Sequence, residues 1–513
     1  MPVSRLLRAI LLFGLMSVLA GGLSLVMAQG KSPNATPLPP GPPDAQSAWN
    51  TELVGFNDLQ GRSCYQPLVV HQDGRQIAYC GHHAGTALNP MTGQMESNGT
   101  SLVDVTDPRN PKYLAHIPGP AGSIDAGGSQ MTRVCSGDVL PSSSKEERER
   151  KHGKWYLLRT HGNSSGVTNP IESQEIYDVT DPANPSLLKT IVGGLSNTHK
   201  NWWECDTGIA YLVANIPSEG WRHSGSIQHL KIYNLHDPEN PEYIRDFGLV
   251  GQQPATWIQP AGAPASEGPV TPPSGIHGPI SGYPAKDRVY MAYGVGSNGV
   301  VQIVDRKKLL EGDPKDVFTP QISFFTLPGL TTQGGHTSFP ILKGKQDALL
   351  VVSEEGGNMC TPRATHTHHV AWLYDITDET NPTLLSTLSV PENPGDFCNK
   401  GGRFGAHAST ESFYQPYYGR LAIISWFNAG VRVWDIRDPA NPVPVAYFIP
   451  ARNDNTFQNC ATINGVQVCK NAIQTNNVEL DSRGLIYLAD RAGSGMHIVR
   501  LTGQAKALVG MNN

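Results

Sequence analysis

The chain has 513 residues, of which 16% are charged, and a formal net charge of −5 with no run of basic residues. This charge pattern argues against a nucleic-acid partner. Length alone would suggest about three domains, but the internal repeats described below favour one large domain.

The N-terminal segment has the pattern of a secretory signal peptide. Arg5 and Arg8 precede an apolar run from Ala9 to Ala28, and the small residues near Ala28 provide a cleavage site before Gln29. The alternative is an uncleaved membrane anchor, because the run is nearly long enough to span a bilayer. We therefore expect a signal peptide over residues 1–28, a flexible linker over 29–49, and a secreted or periplasmic protein without a membrane span after cleavage.

A strand followed by a fixed turn recurs from residue 103 to the end of the chain. β-Branched and aromatic residues favour the strand, and Asp, Pro and Asn then end it, because proline has no N–H and the two polar side chains bond the local backbone. Two further copies keep the strand and lose the turn. The seven copies are VDVTDPRNP (103–111), IYDVTDPANP (176–185), IYNLHDPENP (232–241), VQIVDRKKLL (301–310), LYDITDETNP (373–382), VWDIRDPANP (433–442) and MHIVRLTG (496–503).

The repeats are about 66 residues apart on average, which suits a four-stranded blade with long loops. A second apolar run precedes each copy, for example at Gln76 to Cys80 and Ala348 to Ser353. The pattern predicts an all-β, seven-bladed β-propeller over residues 50–513. The last repeat lacks a good fourth strand, and Thr51 to Asn57 resembles one. We expect this N-terminal strand to close the ring and leave no exposed sheet edge.

The strand and turn resemble the LVIVD repeat of exported bacterial β-propeller proteins. The resemblance covers nearly the whole chain from about residue 50 and implies the propeller fold and export. That family is defined mainly by its fold, so the resemblance implies no particular reaction.

Eight cysteines suit an oxidising compartment. Cys64 with Cys80, and Cys460 with Cys469, flank hairpin-like segments and are predicted disulfides. Cys135 with Cys205 and Cys360 with Cys398 then remain as pairs. Metal binding by these thiols is the alternative, although the sequence contains no Cys-x-x-Cys motif.

Four consecutive blades place one histidine at nearly the same point before the second strand. The histidines are His199, His277, His336 and His407, at 12 to 14 residues from the core of the next strand. Imidazole nitrogens on the innermost strands would face the axis, where they suit iron, copper or zinc. The sequence therefore predicts a transition-metal site. The alternative is a structural ring of histidines that bond neighbouring backbone.

Polar residues at the ends of the second strands extend the predicted site. We expect His161, Glu354 and Asp490 to serve as a general base or to orient the metal ligands; the alternative is a solvated rim. His366 and His368 form a further possible ligand pair in a loop, which is otherwise an exposed polar segment.

These features predict a propeller that binds a metal in its central funnel and acts on a small substrate by redox or hydrolytic chemistry. The alternative is a non-catalytic propeller that binds a protein or glycan through its loops, chiefly the insertions from Asn215 to Gln228 and from Gly251 to Ser274. Convergence of the four imidazoles on one point would favour the metal site.

Overall fold

The computed structural model describes residues 45–120, 128–162, 172–222, 228–258, 275–294, 299–328, 334–353, 369–463 and 466–510. Its strands form seven four-stranded antiparallel sheets, one for each repeat, arranged as the blades of a propeller. The predicted fold is confirmed. From the innermost strand outward, the regular blades are Cys64–Gln72, Arg75–His82, Thr100–Asp104 and Lys112–Ile117 (blade 1); Thr132–Ser136, Trp155–His161, Glu172–Asp178 and Ser186–Leu195 (blade 2); Asn201–Trp203, Ile209–Ala214, His229–Asn234 and Glu242–Phe247 (blade 3); Ile276–Ser281, Arg288–Tyr293, Val300–Asp305 and Gln321–Thr326 (blade 4); Gly335–Ile341, Ala348–Ser353, Ala371–Asp375 and Thr383–Leu388 (blade 5); and Thr475–Leu480, Ile486–Asp490, Met496–Leu501 and Thr51–Asn57 (blade 7).

Blade 6 departs from the regular pattern at both edges. Its regular strands are Leu421–Ser425, Val431–Asp435 and Val443–Ile449, and Ser47–Trp49 pairs with the last of them. The innermost position is taken by residues 406–411, which bond the sheet through His407 N–H to Ser425 O at 3.1 Å and Thr410 N–H to Ile423 O at 3.0 Å. This blade therefore has an irregular inner edge and an added outer strand.

The helices and accessory hairpins lie in the loops. The α-helices span Lys145–Lys151, Arg306–Glu311, Phe397–Lys400 and Gly503–Leu508, and 3₁₀ turns span Leu59–Gly61, Pro217–Glu219 and Asn393–Gly395. Hairpins are formed by Thr86–Asn89 with Gln94–Ser97 and by Gln458–Ile463 with Val466–Asn471. No helix in the described ranges is long and apolar enough to cross a membrane.

Side-chain hydrogen bonds explain why the repeated turn is conserved within the chain. In the first copy Asp107 accepts hydrogen bonds from the N–H of Arg109 at 3.0 Å and from the side-chain amide of Asn110 at 2.7 Å. The same pair of bonds recurs at Asp181 and Asp237, in the copies over residues 176–185 and 232–241. In the copy over residues 301–310, which lacks the turn, Asp305 aligns with Asp104 and caps a helix by accepting from Lys308 N–H at 3.0 Å. In these four copies an acidic side chain binds the backbone where the strand ends.

Apolar residues on both faces of each sheet pack between neighbouring blades. Between blades 3 and 4, Tyr211 and Val213 lie in one buried cluster with Val289 and Met291. All four are completely buried. Because each sheet is covered on both faces, its strands are almost continuously apolar, as the sequence showed.

The N-terminal segment closes the ring through two blades. Thr51–Asn57 pairs with Met496–Leu501 as the outer strand of blade 7, which confirms the predicted closure. Residues 47–49 were expected to belong to the linker but form the added strand of blade 6. One stretch of chain therefore joins the last two blades to each other.

Three of the predicted disulfides are present. Cys64 pairs with Cys80, Cys135 with Cys205, and Cys460 with Cys469. Cys398 is also disulfide-bonded, and its predicted partner, Cys360, lies outside the described residues. These bonds are compatible with an exported protein.

Gly55 marks the seam where the closing strand contacts blade 1. A Cβ atom there would overlap the carbonyl oxygen of Pro108, in the turn of the first repeat. We expect Gly55→Ala to lower the free energy of unfolding by about 1–3 kcal/mol, because backbone must move to make room. Gly193→Ala is the matched control, since Gly193 also lies in an outer strand and its added methyl would meet nothing within 4 Å. Urea denaturation measures both; equal stabilities would contradict the close packing at the seam.

Candidate metal centre

The four predicted histidines lie on the innermost segments of blades 3 to 6. His277 and His336 belong to the inner strands of blades 4 and 5, His199 immediately precedes the inner strand of blade 3, and His407 lies in the irregular inner segment of blade 6. His277, His336 and His407 are at most 4% exposed, and His199 is half-buried.

β-Bulges direct two of these histidines away from the regular strand pattern. The pairing between the first and second strands shifts between Ile276 and Gly278 in blade 4, and between Gly335 and Thr337 in blade 5. The unpaired residue is the histidine in both cases. A bulge re-aims the side chain of its extra residue, so the inner strand can keep its pairing and still present an imidazole to its neighbours.

The four imidazoles form a series in which each ring contacts the next. Ring centroids lie 4.0 Å apart for His199 and His277, 4.3 Å for His277 and His336, and 4.2 Å for His336 and His407. The centroids of His199 and His336 are 6.2 Å apart, which places the first three rings close to a right angle about His277. Successive histidines are therefore in contact, although no three of them have ring nitrogens that all lie within 4.8 Å of one another.

Hydrogen bonds to Nδ1 fix the orientation of two of the imidazole rings. His407 Nδ1 lies 2.8 Å from the carbonyl oxygen of Asn476, and His336 Nδ1 lies 3.1 Å from Thr337 Oγ1. Such bonds hold the tautomer and orientation of metal-binding imidazoles. Neither ring nitrogen of buried His277 has a hydrogen-bond partner among the described residues.

The environment disfavours the charged form of two of these imidazoles. Burial lowers the pKa of His277 and His336 well below the usual value, and the other axial histidines and Lys200 add to the effect. A neutral imidazole has a lone pair to offer a cation. His277 and His336 are therefore in the protonation state that metal binding requires.

Tyr65 completes the cluster from blade 1. It too is the extra residue of a bulge, between Cys64 and Gln66, and it is 2% exposed. Its hydroxyl oxygen lies 2.8 Å from His336 Nε2. Tyr65 was not predicted as a site residue, because a tyrosine stands where four other blades have histidine. The signal was available, since Tyr65 precedes Tyr79 of the second strand by 14 residues, the same spacing as His407 to Leu421.

A second group of buried side chains lies farther along the same inner segments and carries charge. Glu411 of blade 6 forms ion pairs with Lys200 of blade 3, at 2.5 Å, and with Arg133 of blade 2. The backbone N–H of Glu411 donates to Glu479 of blade 7 at 3.3 Å. Lys200 also donates to Thr337 Oγ1 at 3.3 Å, which connects the charged group to the histidines.

The two carboxyl groups of this charged cluster differ in ionisation. Burial would raise the pKa of Glu411, but Lys200 and Arg133 outweigh it and hold the pKa at about 2. Burial raises the pKa of Glu479 to about 7, and the nearby charge of Glu411 acts in the same direction. The cluster thus carries a permanent carboxylate and a second carboxyl group that titrates near neutral pH.

The three residues predicted to assist catalysis lie in different surroundings. His161 Nδ1 lies 3.5 Å from Glu175 Oε1 at the end of a strand of blade 2. Asp490 is buried and accepts hydrogen bonds from the N–H groups of Gln474, at 3.1 Å, and Ala492. Burial raises the pKa of Asp490 to about 6. Glu354, like His366 and His368, lies outside the described residues.

Two other groups of potential ligands are already engaged. Cys64 and Cys80 approach His82, but they form a disulfide. Glu219, His229 and Asp246 also approach one another. There the ammonium of Lys231 bonds both carboxylates, at 2.6 Å and 3.1 Å.

This chain resembles solved β-propeller structures in fold. No family model matches the chain, and no curated protein matches it. The WD40 β-propeller domain of Doa1 has a TM-score of 0.41 and 11% identity, covering 92% of this chain and 98% of that one. A hypothetical selenium-binding protein from Sulfolobus tokodaii has a TM-score of 0.47 and 14% identity, covering 79% of this chain and 81% of that one. Neither likeness bears on the chemistry of the site.

Removing Glu411 tests the charged cluster. We expect Glu411→Ala to lower the free energy of unfolding by about 3–5 kcal/mol, because two buried cations lose their shared partner. Glu52→Ala is the control, since Glu52 pairs with Arg500 at the surface, where both side chains are about half exposed, and should change little. Urea denaturation at pH 7 distinguishes the two; a small loss for Glu411→Ala would mean that the cluster is not a coupled unit.

The raised pKa of Glu479 predicts that the free energy of unfolding depends on pH. In the unfolded chain its carboxyl group titrates near a pKa of about 4.3, whereas the folded pKa is about 7. The folded state therefore binds more protons between these values, and the stabilisation present below pH ~4 is lost as the pH rises through 7. Relative to wild type, Glu479→Gln should gain stability by up to about 3 kcal/mol between pH 4.5 and 8. Parallel stability profiles for the two proteins would contradict the raised pKa.

Proposed function

We propose that this chain is an exported propeller of the LVIVD-repeat type that binds iron, copper or zinc at its axis. The ligands are His199, His277, His336 and His407, and the substrate is a small molecule that enters the central funnel. The contact between four successive imidazoles from four consecutive blades carries the proposal, with centroids 4.0–4.3 Å apart. Binding one ion would require the rings to rotate, because no three of them have nitrogens within 4.8 Å of one another.

The surroundings of the histidines support ligation over a purely structural ring. A structural ring would use the imidazole nitrogens to bond neighbouring backbone, as His407 Nδ1 does. His277 does not fit that role, because it is buried and its two nitrogens lack hydrogen-bond partners among the described residues. Buried polar atoms are costly to leave unsatisfied, and a metal ion would satisfy one of them.

Asp490 has a positioning role in this proposal. Its carboxylate receives the N–H of Gln474 at 3.1 Å. Two residues later, the carbonyl oxygen of Asn476 bonds His407 Nδ1 at 2.8 Å. Asp490 therefore fixes the segment that orients a ligand. His161, paired with Glu175, and Glu354 remain the proposed groups for proton transfer to or from the substrate.

A metal ion at this centre would supply Lewis acidity or electron transfer, which gives the proposed hydrolytic or redox reaction. The protein contributes a fixed ligand set and a low-dielectric environment. Lys200 lies one residue from His199 and bonds Thr337 beside His336. Its positive charge disfavours protonated imidazole and strengthens attraction for an anionic ligand or substrate at the centre.

Metal content tests the proposed centre. Wild type purified without chelator should contain close to one equivalent of iron, copper or zinc by plasma mass spectrometry. His277→Ala/His336→Ala should lose at least nine-tenths of it, because half the ligands are removed. His152→Ala should keep the metal, since His152 is an exposed residue paired with Asp138.

Circular dichroism of each variant verifies that the propeller is folded. A folded wild type that stays metal-free after incubation with Fe(II), Cu(II) and Zn(II) would contradict the proposal. The loop face would then be the place to seek a protein or glycan partner.

A further inference from the structure

Tyr65 lies near both ends of the series of histidines. Blades 3 to 6 supply the four imidazoles, and Tyr65 enters from blade 1. Its ring centroid lies 5.5 Å from His199 and 5.8 Å from His407, with interplanar angles of 89° and 84°. The phenol therefore stands between the two ends of the histidine series, edge-on to both.

The hydroxyl group of Tyr65 points at the imidazole of His336. Its oxygen lies 2.8 Å from Nε2 of His336. On the opposite side of that imidazole, Nδ1 lies 3.1 Å from Thr337 Oγ1, so Nε2 is the nitrogen that faces inward. When the Tyr65 hydroxyl donates to Nε2, the ring proton resides on Nδ1 and donates to Thr337.

The separation of these two atoms matches that of adjacent ligands on one metal ion. Two donor atoms at about 2.0 Å from an ion, and at a right angle to each other, lie about 2.8 Å apart. An ion bound by Nε2 of His336 could therefore also be reached by the Tyr65 oxygen without a change in their separation.

We propose that Tyr65 provides an oxygen ligand to the same metal ion, giving a centre of four imidazoles and one phenolate. The inference rests on the proposed function and extends it. On binding, the metal–oxygen bond replaces the O–H bond of Tyr65, and the proton leaves to solvent, as occurs when metals bind protein ligands.

A buried cation supports negative charge on the phenol oxygen. Arg491, at the end of a strand of blade 7, is 6% exposed. Burial lowers its pKa to about 9, and an attraction to Tyr65 opposes that shift. The backbone holds the two groups together, because Ser63 Oγ donates to the carbonyl oxygen of Arg491 at 2.6 Å.

An oxygen ligand from Tyr65 would limit which metals the site favours and which reaction it supports. Mixed nitrogen and oxygen donors suit Cu(II) and iron, and an anionic oxygen stabilises the higher oxidation state of either metal. Five protein donors would leave one position of a six-coordinate ion for a small ligand. Tyr65 therefore favours the redox form of the proposed reaction, with a substrate that binds the metal directly.

Visible absorption spectroscopy tests whether the Tyr65 oxygen binds the metal ion. Wild type loaded with Fe(III) or Cu(II) should show a phenolate-to-metal charge-transfer band. Tyr65→Phe keeps the aromatic ring and removes only the oxygen, so the band should fall at least tenfold while metal content stays within about twofold of wild type. Tyr79→Phe is the control: Tyr79 is buried in the same blade, and its hydroxyl donates to Gln72 at 2.6 Å.

The outcomes separate this inference from the proposed function. A metal-loaded Tyr65→Phe that keeps the band would overturn tyrosine ligation at this residue. A wild type that binds metal without the band would overturn it as well and leave the histidine site standing. A wild type that binds no metal would overturn both. If Tyr65→Phe does not fold, resonance Raman spectra of loaded wild type decide, because absence of phenolate ring modes contradicts the inference.

Discussion

Closure of the ring is the constraint on which the rest of the structure depends. The axial residues come from separate blades: Tyr65 from blade 1, Arg133 from blade 2, His199 from blade 3 and Glu479 from blade 7 are examples. No single blade could bury any of them. The segment from Ser47 to Asn57 pairs with both blade 6 and blade 7, so the seven inner strands meet around one axis. Burial of the axial residues, their pKa shifts and the contacts between successive imidazoles all follow from that enclosure.

The histidines and the charged cluster form two adjacent layers along the axis, and their buried polar groups are stabilised in different ways. The imidazoles of His277 and His336 remain uncharged, because burial lowers their pKa values. The neighbouring layer is charged, and there Glu411 compensates two cations at once. Burial of a charge is tolerated when it is paired and hydrogen-bonded. Thr337 joins the layers, since its hydroxyl lies between Lys200 and His336.

The accuracy of the sequence-based predictions varied with the range of the interactions involved. The strand from Ala348 to Ser353 was predicted to the residue, because its apolar run and flanking turn are local signals. Three of the predicted disulfides also formed. The strand at residues 47–49 was missed because it is short and its pairing partner is 400 residues away. Tyr65 was missed because a different residue type occupies the equivalent position in blade 1.

The sequence alone determined the number of blades, the turn that ends five of the seven third strands and the alignment of four histidines. These features depend on local propensity and on repetition, which are visible in the order of residues. Only the tertiary structure decided that bulges re-aim the axial side chains, that Tyr65 contacts His336, and that Arg133 and Lys200 share Glu411. Those contacts join residues from different blades. Their geometry depends on how the seven sheets are spaced around the axis, and no local pattern in the chain encodes that distance.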